Sequence, residues 1–272
     1  MKVPKFFKIP TTKNIINNKL ESTKFSLVHI KKEDIDTFSK GLQEYADCYL
    51  IASLDALSKS TEGRRVLSQN ISKVKRDYPF TTTIDEFQIV FRNVNNKKKA
   101  ILVGEKEYDK NFSVFYNQNN KIFCAMKMAM NKIIRNNFFK KPFVCRLTSP
   151  FSKSFEYNRP SNFMYMFTGK KPIVIAENDI NWNLKNYKTQ VLSLLKKMSK
   201  VKNNNYTFVA GTGFKKCRTI SNWHCVVIDS VDFKRKVLVL KNKRANSCTE
   251  ITFDELINNF KFIVGYFNKN LK

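Results

Sequence analysis

Three side chains able to do chemistry occur in the order Cys48, His224, Asn242. Cys48 lies in LQEYADCYLIASLDAL, residues 42–57, after a polar, turn-like segment. Directly behind it Leu50, Ile51, Leu54 and Leu57 recur at helical spacing, which predicts a helix that opens on the thiol. A thiol attacks well only as its thiolate, and both helix N-terminal amides and a neighbouring imidazolium favour that form. The chain has two histidines. His29 lies in a short apolar piece near the start. His224 lies in SNWHCVVIDSVDFKRKVLVLKN, which reads as a β-hairpin with strands near 223–231 and 236–242. If that hairpin is symmetric about Phe233, His224 and Asn242 fall opposite each other on one face. A carboxamide there can bond one ring nitrogen, fix the tautomer and leave the other nitrogen for a thiol. Asp47 is expected to cap the Cys48 helix, and Trp223 reads as core packing.

The elements that must position these groups give an α+β order, helix-rich early and strand-rich late. Residues 1–40 read as an irregular, basic lead-in containing the apolar piece Phe25–Ile30. STEGRRVLSQNI suggests a second short helix, weakened by Gly63. IDEFQIVFRNV, KKKAILVG and Ser113–Tyr116 read as strands, and KIFCAMKMAMNKIIRNNF as an amphipathic helix whose methionines fill a core. Pro and Ser increase over 142–160, a candidate boundary between residues 41–150, carrying the nucleophile, and 151–272, carrying the general base. Beyond it, 184–200 reads as a helix, and 206–210, 223–231, 236–241 and 261–267 as strands. TFDELINNF reads as a short helix with Thr252 and Glu255 forming a capping box.

The 272 residues suffice for one large domain or two lobes, and 42% hydrophobic with 13% aromatic residues argues against disorder. The net charge of +28 comes mostly from scattered lysines, so it reads as biased composition on a solvated surface. Nucleic-acid binding is compatible with that charge, but no motif supports it. Six widely spaced cysteines, with no Cys-x-x-Cys, suggest reduced thiols. Cys217, His224 and Cys225 lack an evident fourth metal ligand, so neither metal nor cofactor is expected. No stretch approaches a membrane span, and the N-terminus lacks the apolar core of a signal peptide. That points to a protein acting in a cytosol, or exported by another route as a host-directed effector.

ADCYLIASLDAL resembles the catalytic-cysteine helix of the papain-like cysteine peptidases, most of all the calpain-type branch, with its Asp-Cys-aromatic-Leu-x-Ala-x-Leu pattern. FVAGTG, ISNWHCVVIDSV and KVLVLKN resemble the histidine and asparagine strands of the same families, and the order Cys, His, Asn agrees. NFMYMFTG extends the similarity weakly. The resemblance implies a two-lobed fold, with a helical lobe presenting Cys48 and an antiparallel β lobe presenting His224 and Asn242. It implies Cys48 as nucleophile, His224 as general base and acid, Asn242 as the residue orienting the imidazole, and Gln43 as an oxyanion donor beside the Cys48 amide. The substrate would be a protein or peptide. The chain departs from the family pattern in three places. Gln43 is five residues before the cysteine where six is usual, Tyr49 stands where tryptophan is common, and Lys243 stands where proline usually follows the asparagine. No acidic loop resembles the calcium sites, so calcium dependence does not carry over. The same triad serves deamidation, transglutamination or deubiquitination. A non-catalytic basic module that binds acidic proteins or nucleic acid is the alternative of another class.

Overall fold

The computed structural model describes residues 25–40, 48–76, 86–92, 96–104, 121–135, 160–176, 184–213, 220–222 and 224–270. Gln43, Asp47, Ser113–Tyr116, Cys217, Trp223 and the segment 142–159 lie outside the described residues.

The fold is α+β, with seven α-helices and two antiparallel sheets among the described residues. A four-stranded sheet runs β1–β2–β3–β4, built from Phe25–His29, Ile71–Arg76, Glu86–Arg92 and Lys98–Val103. A six-stranded sheet has the order β5–β10–β6–β7–β8–β9. Its strands are Ile173–Ala176 (β5), Tyr206–Thr212 (β6), Cys225–Asp232 (β7), Val237–Asn242 (β8), Ser247–Thr252 (β9) and Phe260–Phe267 (β10). The helices are α1 (Lys32–Lys40), α2 (Cys48–Lys59), α3 (Thr61–Asn70), α4 (Lys121–Arg135), α5 (Pro160–Thr168), α6 (Leu184–Met198) and α7 (Phe253–Asn259).

Alternation along the central strands divides the core between two faces of the six-stranded sheet. Val209, Cys225, Val227, Val264 and Tyr266 join one cluster with α2, α4, α5 and the four-stranded sheet. Phe208, Ala210, Val226, Ile228 and Ile263 join a second cluster with α6 and α7. The helix that opens on Cys48 therefore packs directly on the sheet that carries the hairpin. Among the described residues, 25–135 hold four strands as well as four helices, with the helices the longer elements. The lead-in is not irregular over 25–40. There β1 pairs with β2, and Ile30, Ile35 and Phe38 of the following segment enter the first cluster. The charged residues of α1 hide this, because only Ile35 and Phe38 of the nine-residue helix enter the core.

Helix α2 is buried from Tyr49 through Ser58, not on one face alone. Its polar groups are satisfied locally: Ser53 Oγ donates to the Tyr49 carbonyl at 2.6 Å and Ser58 Oγ to the Asp55 carbonyl at 2.7 Å. The turn into α3 explains why Gly63 does not break that helix. Ser60 caps it by accepting from the Gly63 amide at 3.0 Å, and a Cβ at 63 would lie 2.1 Å from the Leu57 carbonyl oxygen. The expected capping box is present at α7, where the Thr252 hydroxyl accepts from Glu255 N and the Glu255 carboxylate accepts from Thr252 N. None of the described helices is long and apolar enough to cross a membrane.

Candidate active site

Cys48 is the first residue of α2, at its N-terminal turn, and is half-buried. His224 stands one residue ahead of β7 and is 3% exposed. Its backbone is held by Thr212, the last residue of β6. The His224 amide donates to Thr212 Oγ1 at 2.9 Å, and the Thr212 amide donates to the His224 carbonyl at 2.9 Å. The same hydroxyl donates to the Ser221 carbonyl at 2.7 Å, so one threonine anchors both sides of the turn leading to the histidine. Thr212→Val keeps the shape but strands two polar groups. It is expected to lower unfolding stability by about 1–3 kcal/mol in urea denaturation, with Thr212→Ser close to wild type.

Asn242 ends β8 and is buried. Its Oδ1 lies 2.8 Å from His224 Nε2 and also accepts from the Arg244 amide at 3.0 Å. A backbone amide can only donate, so the Asn242 atom at this position is the oxygen. The ring nitrogen facing it must then carry a proton. In the neutral ring this leaves Nδ1 unprotonated and able to take a proton from a thiol.

The hairpin expectation holds in parity but not in register. Val227 pairs with Lys241 and Asp232 with Val237, with an irregularity between Ile228 and Ser230. Carried one step further, this register sets Val226 against Asn242. His224 is therefore a diagonal neighbour two residues along, not the residue directly opposite. The cause is a longer turn, in which Asp232 Oδ1 accepts from the amides of Lys234 and Arg235, together with one extra residue at Asp229. Diagonal same-face neighbours remain within reach of a long side chain, and the 2.8 Å contact survives the shift.

Around the sulfur, two groups and burial set the charge state. The Cys225 thiol donates a hydrogen bond to Cys48, and this is the strongest influence holding the Cys48 pKa down to about 5. Burial opposes it, while the hydrogen bond and charge of His224 add to it. The reciprocal effect appears at Cys225, whose thiol is pushed well up by the neighbouring thiolate and by its own burial. Cys225 was not expected at the site except as a weak metal-ligand candidate. Its only sequence signal is adjacency to His224.

A second group beneath the site also escaped the sequence. Asp55 lies on α2 two turns after Cys48, with its side chain 4% exposed. It forms ion pairs with Lys241 at 3.3 Å and with the buried Lys243 at 3.4 Å, the two residues flanking Asn242. Lys243, which follows Asn242, is thus tied to the helix that opens on Cys48.

His29, the other histidine, lies on β1 with Nδ1 3.3 Å from Ser72 Oγ and takes no part in this cluster. Gln43 lies outside the described residues. Among the described residues no three His, Cys, Asp or Glu side chains gather to hold a metal ion. Two surface hollows, about 530 and 830 Å³, are lined by residues such as Arg64 and Asn204 or Lys200 and Asn268, and neither includes Cys48, His224 or Asn242.

No protein-family model matches this chain, and no curated protein matches it in sequence.

Proposed function

We propose that the protein is a papain-like cysteine hydrolase of calpain type that cleaves peptide bonds through an acyl-enzyme at Cys48. The observation that supports this reading is Asn242 accepting from His224 Nε2 at 2.8 Å, with the hydrogen bonding and charge of His224 among the influences that lower the Cys48 pKa. Chemistry follows from the proton positions. Cys48 transfers its proton to His224 Nδ1, giving a thiolate–imidazolium pair stabilised by the Cys225 thiol. The thiolate attacks the carbonyl carbon, and the oxyanion forms near the N-terminal amides of α2, where the Cys48 amide can donate to it. By family resemblance Gln43 supplies the second donor. The imidazolium then protonates the departing amine, and neutral His224 takes a proton from the water that releases the acyl group. An amine in place of that water would give transamidation, so peptidase, deamidase, transglutaminase and deubiquitinase share the first half-reaction.

Haloacetamide labelling followed against pH tests the reading. Cys48 should react half-maximally near pH 5, whereas an ordinary thiol does so near 9, because its thiolate persists as pH falls through that range. His224→Ala should raise the midpoint and slow labelling at neutral pH. Slow labelling of Cys48, equal to that of the exposed Cys248, would reject the hydrolase.

A further inference from the structure

The hairpin that carries His224 and Asn242 holds one extra residue, and that residue decides which way the histidine faces. On the turn side β7 pairs with β8 as Asp232 with Val237, Val231 with Leu238 and Ser230 with Val239. On the far side the pairs are Ile228 with Leu240 and Val227 with Lys241. Asp229 is left over. It has no partner on β8, and the ladder to β6 on its other side stops at Val227 and Val209. Side chains alternate along a strand, so one added residue moves everything beyond it to the other face. With Asp229 inserted, Val226 and therefore His224 share the face of Leu240 and Asn242. Without it, the register of the turn side would set Val227 against Asn242, and His224 would point away from the asparagine.

This unpaired residue is held from α2. Lys59, the last residue of that helix, donates from Nζ to the Asp229 carbonyl and lies 3.0 Å from its Oδ1. Tyr206 opens β6 and is 1% exposed; its hydroxyl lies 3.3 Å from the same carbonyl and 3.3 Å from Asn203 Oδ1. Lys59 Nζ also sits 5.4 Å from the centre of the Tyr206 ring. A carbonyl that a bulge takes out of the ladder needs a donor elsewhere, and here two are in reach. Asp55, one turn earlier on the helix, pairs with Lys241 and Lys243. One helix thus starts with Cys48, grips the end of β8 through Asp55, and grips the bulge of β7 through Lys59.

We propose that Lys59 is a positioning residue: with Tyr206 it locks the bulge at Asp229 and so keeps the His224 ring on the face of Asn242. The inference rests on the reading of His224 as the base of the hydrolase and Asn242 as the residue that orients it. Lys59 acts through the register of β7, at the opposite end of α2 from the sulfur.

The test uses the full chain carrying isotopically labelled histidine. Ring N–H signals are read by NMR in water, and kcat and KM are measured for a peptide. The chain has two histidines, so His224→Ala assigns the signals and His29 serves as internal reference. In wild type the Nε2 proton of His224 should exchange slowly with water, because the ring is buried and donates to Asn242. Lys59→Met keeps the length but cannot donate. There the Nε2 signal should broaden or vanish, and kcat should fall about 10²-fold with KM little changed. Lys59→Arg should restore both readings. Asp229→Asn keeps the carbonyl bonded to Lys59 and should lose less than Lys59→Met. Tyr206→Phe removes the second donor alone and should speed exchange of the same proton. An unchanged Nε2 signal in Lys59→Met would overturn the lock, whatever the turnover; if that variant does not fold, an unchanged signal in Tyr206→Phe would do so. Equal losses in Asp229→Asn and Lys59→Met would assign the effect to the ion pair and also overturn it. Loss of the signal in Lys59→Met, in protein whose wild type hydrolyses no peptide, would support the lock and reject the hydrolase.

Discussion

Cys48→Ala is expected to abolish turnover of a peptide substrate and to leave the fold intact. The residue is half-buried at a helix start, so loss of its sulfur costs little packing. The expected fall in kcat/KM is about 10⁴- to 10⁶-fold, as found where a nucleophile acts as one unit with its base. His224→Ala should fall within the same range, and the double variant should be no worse than either single one, because neither group works without the other. Circular dichroism unchanged from wild type, with turnover lost, is the result expected. Retained turnover in Cys48→Ala would reject the acyl-enzyme route. Asn242→Ala should be milder. It leaves both reacting groups in place but frees the ring to rotate, and a misplacement of about 1 Å costs on the order of 10²-fold.

The second large effect concerns stability. Asp55→Ala is expected to destabilise the protein by about 3–5 kcal/mol, a sizeable part of an ordinary folding free energy. Removing the carboxylate leaves Lys243, 3% exposed, and Lys241 without their buried counter-charge. The cost arises from stranding a cation in the interior, so Asp55→Ala should hurt more than a joint replacement of Asp55 and Lys243 by apolar residues of similar volume. Guanidinium denaturation of the single and double variants checks this. The pH dependence has a definite sign. Burial is the main cause lowering the Lys243 pKa to about 8 from 10.5, with Asp55 opposing it. Between those values the unfolded chain binds the proton that the folded chain has lost, so this lysine's contribution to stability rises with pH from about 8 to 10.5 and is lost as pH falls through 8. Without Asp55 the folded pKa falls further, and the rise should begin at lower pH. For Asp55 itself burial raises the carboxyl pKa, so its contribution is present below its unfolded value and lost as pH rises through the folded one.

The placement of Lys243 connects these two predictions. The same side chain that neutralises Asp55 follows Asn242 in the chain, so the ion pair fixes the end of β8 relative to α2. Loss of Asp55 should therefore also reduce turnover in whatever fraction remains folded. Proline at 243 could hold the backbone but could not tie the strand to the helix.

Periodicity in the sequence was enough to start α2 at Cys48, because apolar spacing and helix geometry are local properties. The capping box at Thr252 and Glu255 was legible for the same reason: its partners lie three residues apart. Side-chain alternation along each strand was local too, and it placed His224 and Asn242 on one face because the extra residue at Asp229 offsets the odd shift of the longer turn. Their register was not, since a four-residue turn and an extra residue at Asp229 shift the partners without changing the alternation. The strand β1 and helix α1 were read as irregular because a few docking residues among charged ones carry little periodic signal. Tertiary structure alone decided that the thiol of Cys225 meets Cys48, that Thr212 holds His224 and that Asp55 reaches Lys243. In the first and last of these pairs the partners are more than 170 residues apart, and the contacts exist because α2 is buried against the central strands of the six-stranded sheet. Such packing depends on the shape of both surfaces together, and no window of sequence contains both.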